Sequence, residues 1–167
     1  MTGAIDRLWA GWRSDYVGAG QREAPDGCVF CELLASGLPD EETSIVWRSN
    51  SVAAILNAFP YGTGHILVMP VDHVGELDEL SSDHSAALWQ ATQAAVVAIR
   101  RAYAPNGVNV GMNLGTAAGA GIPGHLHMHA LPRWNADTNF MSAVANARVL
   151  PEALVVTWRK LRDAWPQ

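Results

Sequence analysis

The stretch His125-Leu126-His127-Met128-His129-Ala130-Leu131 places three histidines at every second position, with apolar residues between them and Pro132 directly after. This alternation is typical of a β-strand, because successive side chains of a strand point to opposite faces. In a helix, the same spacing would put the middle histidine nearly opposite the other two. The pattern therefore predicts a strand that Pro132 ends, with one face of imidazoles and one apolar face toward the core.

The clustered imidazoles indicate chemistry on this strand. The chain has six histidines, and half of them stand in these five positions. Imidazole titrates near neutral pH and acts as a nucleophile, an acid, a base or a metal ligand. We therefore expect this strand to carry the reaction of the protein, in preference to a row of surface histidines without a role.

The ten residues before the histidines, Gly115–Gly124, include four glycines. Small residues let backbone N–H groups approach an anion closely, as in many phosphate-binding loops. The segment matches neither the Walker motif nor the dinucleotide-binding fingerprint, so a flexible hairpin connection is an alternative. Its position directly before three histidines favours phosphate binding.

Composition limits the class of protein. The 167 residues suit one domain, and 49% hydrophobic with 16% charged residues is ordinary for a globular chain. A net charge of −5 argues against DNA or RNA as partners, because binding their phosphates needs a basic surface. No apolar run approaches the roughly 20 residues of a membrane-spanning helix. The N-terminus lacks a signal peptide's apolar stretch, so we expect a cytoplasmic protein.

The two cysteines, Cys28 and Cys31, stand one helical turn apart. Two cysteines are too few and too close for a secreted-type disulfide framework. A pair at this spacing can supply two thiolates to a tetrahedral metal ion, form a redox couple, or simply pack in the core. The residues alone leave these three interpretations open.

Periodicity predicts an α+β fold of one domain, with an antiparallel sheet, one long helix and a C-terminal helix. Residues 1–25 form an aromatic N-terminal extension without a clear period. The stretch Cys28–Leu34 is expected to form a short helical turn that Gly37 and Pro39 close. We expect Ser82 to cap a long helix that ends near Tyr103. Its buried face would consist of Leu88, Ala91, Ala95, Ile99 and Ala102. The final helix begins at Pro151, and one of its faces would consist of Leu154, Trp158, Leu161 and Trp165. The strands expected besides the histidine strand are Ser44–Arg48, Val52–Asn57, His65–Met69 and a half-buried Val108–Leu114.

The motif His125-x-His127-x-His129 with Ala130-Leu131 resembles the signature of the histidine-triad superfamily of nucleotidyl hydrolases and transferases. Further motifs agree in order and approximate spacing over residues 28–134, the expected core region. They are Leu56-Asn57, Gly64-His65, Val68-Met69-Pro70 with His73, Asn113 with Gly115, and Pro132-Arg133. The resemblance implies a single histidine-triad domain over 1–167, in which residues 135–167 form a C-terminal extension.

Two end segments are similar to the bacterial diadenosine tetraphosphate branch of that superfamily. They are Leu8-Trp9-Ala10-Gly11-Trp12-Arg13, and Pro132-Arg133-Trp134 with Asp137-Thr138-Asn139-Phe140-Met141. Hydrolases commonly carry a glutamine followed by serine or threonine shortly before the first histidine, where this chain has Ala120-Gly121-Ile122-Pro123-Gly124. Actinobacterial phosphorylases also lack that glutamine and share the Asn113 and Trp134 positions, but carry Gly-Ser in place of Ala120-Gly121.

The resemblance implies catalytic roles for three histidines. His127 would attack the α-phosphorus of an adenosine nucleotide and hold AMP as a phosphoramidate. His129 would donate to a phosphoryl or leaving-group oxygen, and His65 would support the site from a neighbouring strand. The nucleotide-binding residues implied are Asn57 at the ribose, Asn113 at the phosphates, the backbone near Gly121 and Gly124, and Trp134.

For the cysteines, the resemblance implies a structural zinc site. Zinc-bearing histidine-triad proteins use the positions of His73 and His125, so Cys28 and Cys31 would complete two cysteine and two histidine ligands. We expect the ion to tie the N-terminal segment to the histidine strand.

The resemblance leaves the acceptor open. Phosphorolysis of diadenosine tetraphosphate by inorganic phosphate would give ADP and ATP, and hydrolysis would give AMP and ATP. We favour phosphorolysis, and expect a homodimer or larger homo-oligomer that pairs sheets through the long-helix region. An adenosine phosphoramidase and a nucleotide-binding protein without turnover are the alternatives.

Overall fold

The computed structural model describes residues 27–137 and 152–167. The aromatic extension over 1–25 and Pro151 lie outside these residues, and so does most of Asp137–Met141. The expectations for residues 1–25 and 138–141 therefore remain predictions.

The described elements confirm the α+β class. The helices are α1 (Val29–Ala35), α2 (Asp40–Thr43), α3 (Ser82–Tyr103) and α4 (Leu154–Ala164). The strands are β1 (Ile45–Arg48), β2 (Val52–Leu56), β3 (Ile66–Pro70), β4 (Gly107–Met112) and β5 (Met128–Arg133). Two single turns of 3₁₀-helix occupy Leu77–Glu79 and Thr116–Ala118. No helix in these two ranges is long and apolar enough to cross a membrane.

The described strands form one antiparallel sheet in the order β1-β2-β3-β5-β4. The two faces of this sheet bury different sets of residues, as alternation along β3 shows. Ile66 and Val68 belong to the main core with helix α3, whereas Leu67 and Met69 belong to a second apolar cluster with Phe30 of α1. The sheet therefore has α3 on one face and α1 on the other.

The long helix α3 has the predicted length and buried face. Leu88, Ala91, Ala95 and Ile99 are buried against the sheet. The predicted cap is wrong by one residue: Ser81, which is still extended, accepts the hydrogen bond from the backbone N–H of His84 at 3.2 Å. Ser82 is already helical and cannot make this N-terminal cap.

The strand that carries the histidines is displaced relative to the prediction. It begins at Met128 instead of His125, because the N–H of Leu126 bonds to the carbonyl of Val74 at 2.7 Å, outside the ladder. Pro132 does not end it. Strand β3 pairs with β5 only as far as Ala130, so at Pro132 strand β5 has β4 as its single partner. Proline has no N–H to donate, and at this position no hydrogen bond to β3 is lost.

Strand β4 is one of the two outer strands of the sheet and is more exposed than predicted. It ends at Met112, two residues earlier than expected, and Val110 remains 42% exposed. An alternating sequence identifies a strand but does not say whether a neighbour covers its apolar face.

Helix α4 packs on α3 and on β1. It begins at Leu154, so the predicted start at Pro151 is wrong, because Glu152 and Ala153 are not helical. It buries Leu161, and the indole of Trp158 donates to the carbonyl of Ile45 at 2.8 Å. Trp165, predicted to share the buried helical face, lies just after the helix and stacks on Trp47 with ring centroids 5.5 Å apart. Leu154 is exposed, so that part of the predicted face is wrong.

Candidate active site and metal centre

The fold brings the three proposed catalytic histidines together on the sheet face opposite α3. The ring centroids of His127 and His129 lie 5.0 Å apart, and those of His65 and His129 lie 5.1 Å apart. Their meeting follows from topology, because β3 and β5 are neighbours and Leu67 pairs with His129. Two sequence segments far apart in the chain thus form one cluster.

Hydrogen bonds fix the protons of His65 and His129. The backbone N–H of Tyr61 can only donate, and it lies 3.0 Å from Nδ1 of His65. Nδ1 is therefore an acceptor, and in the neutral ring Nε2 carries the proton. This Nε2–H donates to Nδ1 of His129 at 2.9 Å, which leaves the His129 proton on its own Nε2. We call Tyr61, His65 and His129 the relay.

The relay ends at an N–H without an acceptor. Nε2 of His129 is buried and has no hydrogen-bond partner within the described ranges. Burial first, and electrostatic repulsion from a protonated His127 second, lower the pKa of His129 to about 4. The ring is thus neutral at neutral pH and presents one donor to whatever enters the site.

His127 has the opposite polarity. Its Nδ1 lies 2.8 Å from the backbone carbonyl of His125, which can only accept, so Nδ1 carries the proton and Nε2 holds the lone pair. Burial lowers the pKa of His127, which keeps this lone pair free. A neutral imidazole oriented in this way suits a nucleophile.

The four proposed metal ligands also converge. One ligand atom from each of Cys28, Cys31, His73 and His125 lies within 4.8 Å of the others. Nδ1 of His125 lies 3.3 Å from Sγ of Cys28 and 3.5 Å from Sγ of Cys31, and Nδ1 of His73 lies 3.4 Å from the latter. Tetrahedral zinc with bonds of about 2.0–2.3 Å needs ligand separations of roughly 3.3–3.8 Å, so these residues fit the ion.

The positions of the protons on these four residues are also compatible with a cation bound between them. Nε2 of His125 lies 2.9 Å from the carbonyl of Pro70, so it carries the proton and Nδ1 directs its lone pair at the cysteines. Such a backbone partner is typical of histidine ligands. Burial and the neighbouring Cys28 raise the pKa of Cys31, and a bound cation would offset this effect.

The residues expected to bind nucleotide are less tightly grouped. Asn57 lies beside the relay, with Nδ2 3.3 Å from Nδ1 of His65, and its Oδ1 accepts the backbone N–H of Phe59 at 2.9 Å. Asn113 donates to the carbonyl of Gly119 at 3.4 Å, within the glycine-rich loop. Trp134 packs edge-on against Tyr103 and lies five residues, or roughly 16 Å of strand, beyond His129.

Gly121 and Gly124 lie in the last part of that loop. The backbone N–H of His125 bonds to the carbonyl of Ile122 at 3.4 Å, which turns the loop directly before the histidines. Gly124 lies against the ring of His73, so the loop adjoins the metal ligands.

Sequence reasoning missed two aromatic residues of the site. Phe30, between the two cysteines, packs edge-on against His125 and His127, with ring centroids 5.4 and 5.3 Å away. Tyr61, in the turn before β3, stacks on His129. In the sequence, Phe30 lies between the two cysteines and Tyr61 lies four residues before His65, which could have marked both as candidate site residues. Only the fold shows that they contact the histidines.

The α+β fold and its site of clustered histidines, next to a group of two cysteines and two histidines, define the class of histidine-triad proteins. Comparison with known families agrees: residues 39–136 match the HIT domain. A protein from Mycobacterium tuberculosis named AP-4-A phosphorylase is 38% identical over 96% of this chain and 85% of its own length. The chain therefore belongs to the HIT domain family.

Solved structures are similar along most of the chain. A Zn-bound histidine triad family protein from Mycobacterium smegmatis has a TM-score of 0.67 and 27% identity, covering 83% of this chain and 92% of that one. A hypothetical histidine triad nucleotide-binding protein from Sulfolobus tokodaii has the same TM-score and identity, covering 82% and 91%. These similarities support the fold described above.

Proposed function

We propose that this protein transfers an adenylyl group from diadenosine tetraphosphate to inorganic phosphate, which yields ATP and ADP. The observation that carries the proposal is the opposite polarity of two neighbouring rings. His127 presents a lone pair at Nε2, and His129 presents an N–H at Nε2. One can attack a phosphorus atom while the other donates to an oxygen.

In the first step, Nε2 of His127 attacks the α-phosphorus. The P–N bond forms as the bond from phosphorus to the bridging oxygen breaks, and ATP leaves. The N–H of His129 stabilises the charge that develops on the phosphoryl or leaving oxygen. The Nδ1–H of His127 donates to the His125 carbonyl and supports the positive charge that the ring gains.

In the second step, an oxygen of inorganic phosphate attacks the same phosphorus. The P–N bond breaks, ADP is released, and His127 regains its lone pair. The division into two displacements replaces one difficult transfer with two easier ones. Water in place of phosphate would release AMP, so the acceptor alone distinguishes phosphorylase from hydrolase.

The choice of substrate is supported by the Mycobacterium tuberculosis relative named AP-4-A phosphorylase. Asn57, next to the relay, suits the ribose, and Asn113 suits the phosphate region. We assign the backbone near Gly121 and Gly124 to the phosphoryl oxygens and Trp134 to nucleotide binding, as the resemblance implies.

We further propose that the cysteine and histidine cluster holds structural zinc. Cys28, Cys31, His73 and His125 would be its ligands, and zinc would join α1 to the segment before β5. The Zn-bound relative from Mycobacterium smegmatis supports this assignment. All four ligands would come from protein, so zinc would have no open position for substrate.

We also propose a homodimer in which the outer strand β4 and helix α3 meet their counterparts. Val110 on β4 is 42% exposed and Trp89 on α3 is 54% exposed. Exposed apolar side chains at a sheet edge favour association.

Incubation with diadenosine tetraphosphate, with and without inorganic phosphate, tests the proposed reaction. We expect ADP and ATP only when phosphate is present, and no products from His127→Gln. His84→Gln, which removes a histidine outside the site, is the matched control and should retain activity. AMP and ATP without phosphate would identify a hydrolase, and no turnover in either condition would reject the proposed substrate.

A further inference from the structure

The turn between β2 and β3 places an aromatic ring on the relay. The ring centroid of Tyr61 lies 4.6 Å from that of His65, and 5.6 Å from that of His129. The tyrosine and His129 planes differ by only 14°, so these two rings are stacked. Tyr61 is 44% exposed and His65 is 1% exposed, so the tyrosine lies on the solvent side.

The backbone of the same residue sets the direction of the relay. Its N–H donates to Nδ1 of His65, and this bond is what assigns the His65 proton to Nε2. The acceptor at His129 Nδ1 and the donor at His129 Nε2 both follow from that assignment. One residue therefore contacts both imidazoles by its ring and orders their protons by its backbone.

We propose that Tyr61 is a positioning residue, whose stacked ring holds the plane of His129 so that its Nε2–H faces the reacting phosphate group. The proposal rests on the function proposed above. A donor must lie within hydrogen-bond distance of the oxygen that gains charge, and an imidazole that can rotate loses this alignment. Tyr61 acts through His129 and does not itself touch the phosphorus.

Substitution of the ring separates this role from simple packing. Tyr61→Leu keeps the backbone N–H and much of the apolar bulk but removes the stacking plane. We expect kcat for ATP formation from diadenosine tetraphosphate to fall by about tenfold or more, with KM changed by less than about threefold, because positioning acts on the transition state. Tyr61→Phe keeps the ring and should retain kcat within about threefold.

Nitrogen NMR of the resting protein gives a second readout that needs no substrate. With ¹⁵N-labelled histidine, and His129 assigned by comparison with His129→Gln, the wild type and Tyr61→Phe should show a single Nε2–H tautomer at His129. Tyr61→Leu should show a mixture of tautomers, because a His129 ring that is free to rotate loses the bond from Nε2–H of His65 that fixes its proton. If Tyr61→Leu does not fold, as judged by thermal unfolding, Tyr61→Met replaces it.

Three results would overturn the role of Tyr61. They are an unchanged kcat in Tyr61→Leu, an unchanged His129 tautomer in that variant, and a loss in Tyr61→Phe as large as in Tyr61→Leu. A wild type without turnover of diadenosine tetraphosphate would instead reject the proposed function. The tautomer measurement would still decide whether the tyrosine ring positions His129.

Discussion

The surroundings of His129 keep its ring neutral, and the titration of this ring makes the effect testable. The pKa of His129 is lowered to about 4 by burial and by His127, whereas an unfolded histidine titrates near 6.5. Between these values the unfolded chain binds more protons, so the group contributes stability above about pH 6.5 that is lost as pH falls toward 4. The groups that face it are His65, His127 and the ring of Tyr61.

We therefore predict that the free energy of unfolding of the wild type falls more steeply with acid than that of His129→Gln. The difference in slope should approach about 1.4 kcal/mol per pH unit between pH 6.5 and 4. Urea unfolding at a series of pH values measures it. Both proteins retain the cysteines and the other histidines, so those groups contribute to both slopes, and equal slopes would contradict the lowered pKa.

At the residue scale, the sequence predicts which histidines meet but not how their protons are ordered. Alternation and resemblance assign His65, His127 and His129 to one site. His65 accepts a hydrogen bond from a backbone N–H, and His127 donates one to a backbone carbonyl. Because both partners are backbone groups, the side chains of the sequence do not reveal these bonds. The site contacts of Phe30 and Tyr61 are not predictable either, because they depend on how helix α1 and the turn before β3 pack against the histidines.

Among the elements, α1 is too short to be stable alone, since its seven residues make fewer than two full turns. Among the residues of α1, Phe30 is the only one that is buried. Metal ligation at Cys28 and Cys31 would supply the missing stabilisation. The zinc proposal therefore concerns how α1 is held next to the nucleophile.

We predict that purified protein contains one zinc ion per chain and that a chelator lowers its melting temperature. Free zinc a thousandfold above its dissociation constant would stabilise the folded state by about 4 kcal/mol. Metal analysis of wild type, Cys31→Ser and the control His84→Gln tests the ligand set, and only Cys31→Ser should lose zinc. Wild type without zinc, together with a melting temperature that a chelator leaves unchanged, would reject the site.

Helix α4 offers a second test at this scale. Leu161 is fully buried between α3 and β1, so Leu161→Ala should lower the free energy of unfolding by about 2–5 kcal/mol. Val155 lies on the same helix and is 45% exposed, so Val155→Ala should change it by less than about 0.5 kcal/mol. Chemical denaturation measures both, and similar values for the two variants would contradict the described packing of α4.

Element types were largely predictable, and element ends were not. The periodicity of α3 and of the strands is strong, so each was found within a few residues. The start of β5 and the cap of α3 depend on single hydrogen bonds, from Leu126 to Val74 and from His84 to Ser81. Such bonds have no periodic signature in the sequence.

For the whole molecule, the exposed edge of β4, which pairs with β5 on one side only, predicts association of two chains. We expect sedimentation of the 17.9 kDa chain to give the mass of a dimer. Val110→Arg, which places a charge on the outer strand, should shift the protein to monomer. Val155→Arg is the control for a charge at a similarly exposed valine on α4, and a wild-type monomer or a dimeric Val110→Arg would contradict the proposed interface.

The antiparallel sheet, the shared histidine cluster and the family assignment together lead to one central claim, which is that His127 carries the adenylyl group. Wild type mixed with diadenosine tetraphosphate labelled in its adenosines, without phosphate and quenched in alkali, should retain label on the protein. Added phosphate should transfer that label to ADP. His84→Gln should behave like wild type, and His127→Gln should retain no label. Turnover of the substrate without any labelled protein, or equal labelling of His127→Gln, would contradict the account.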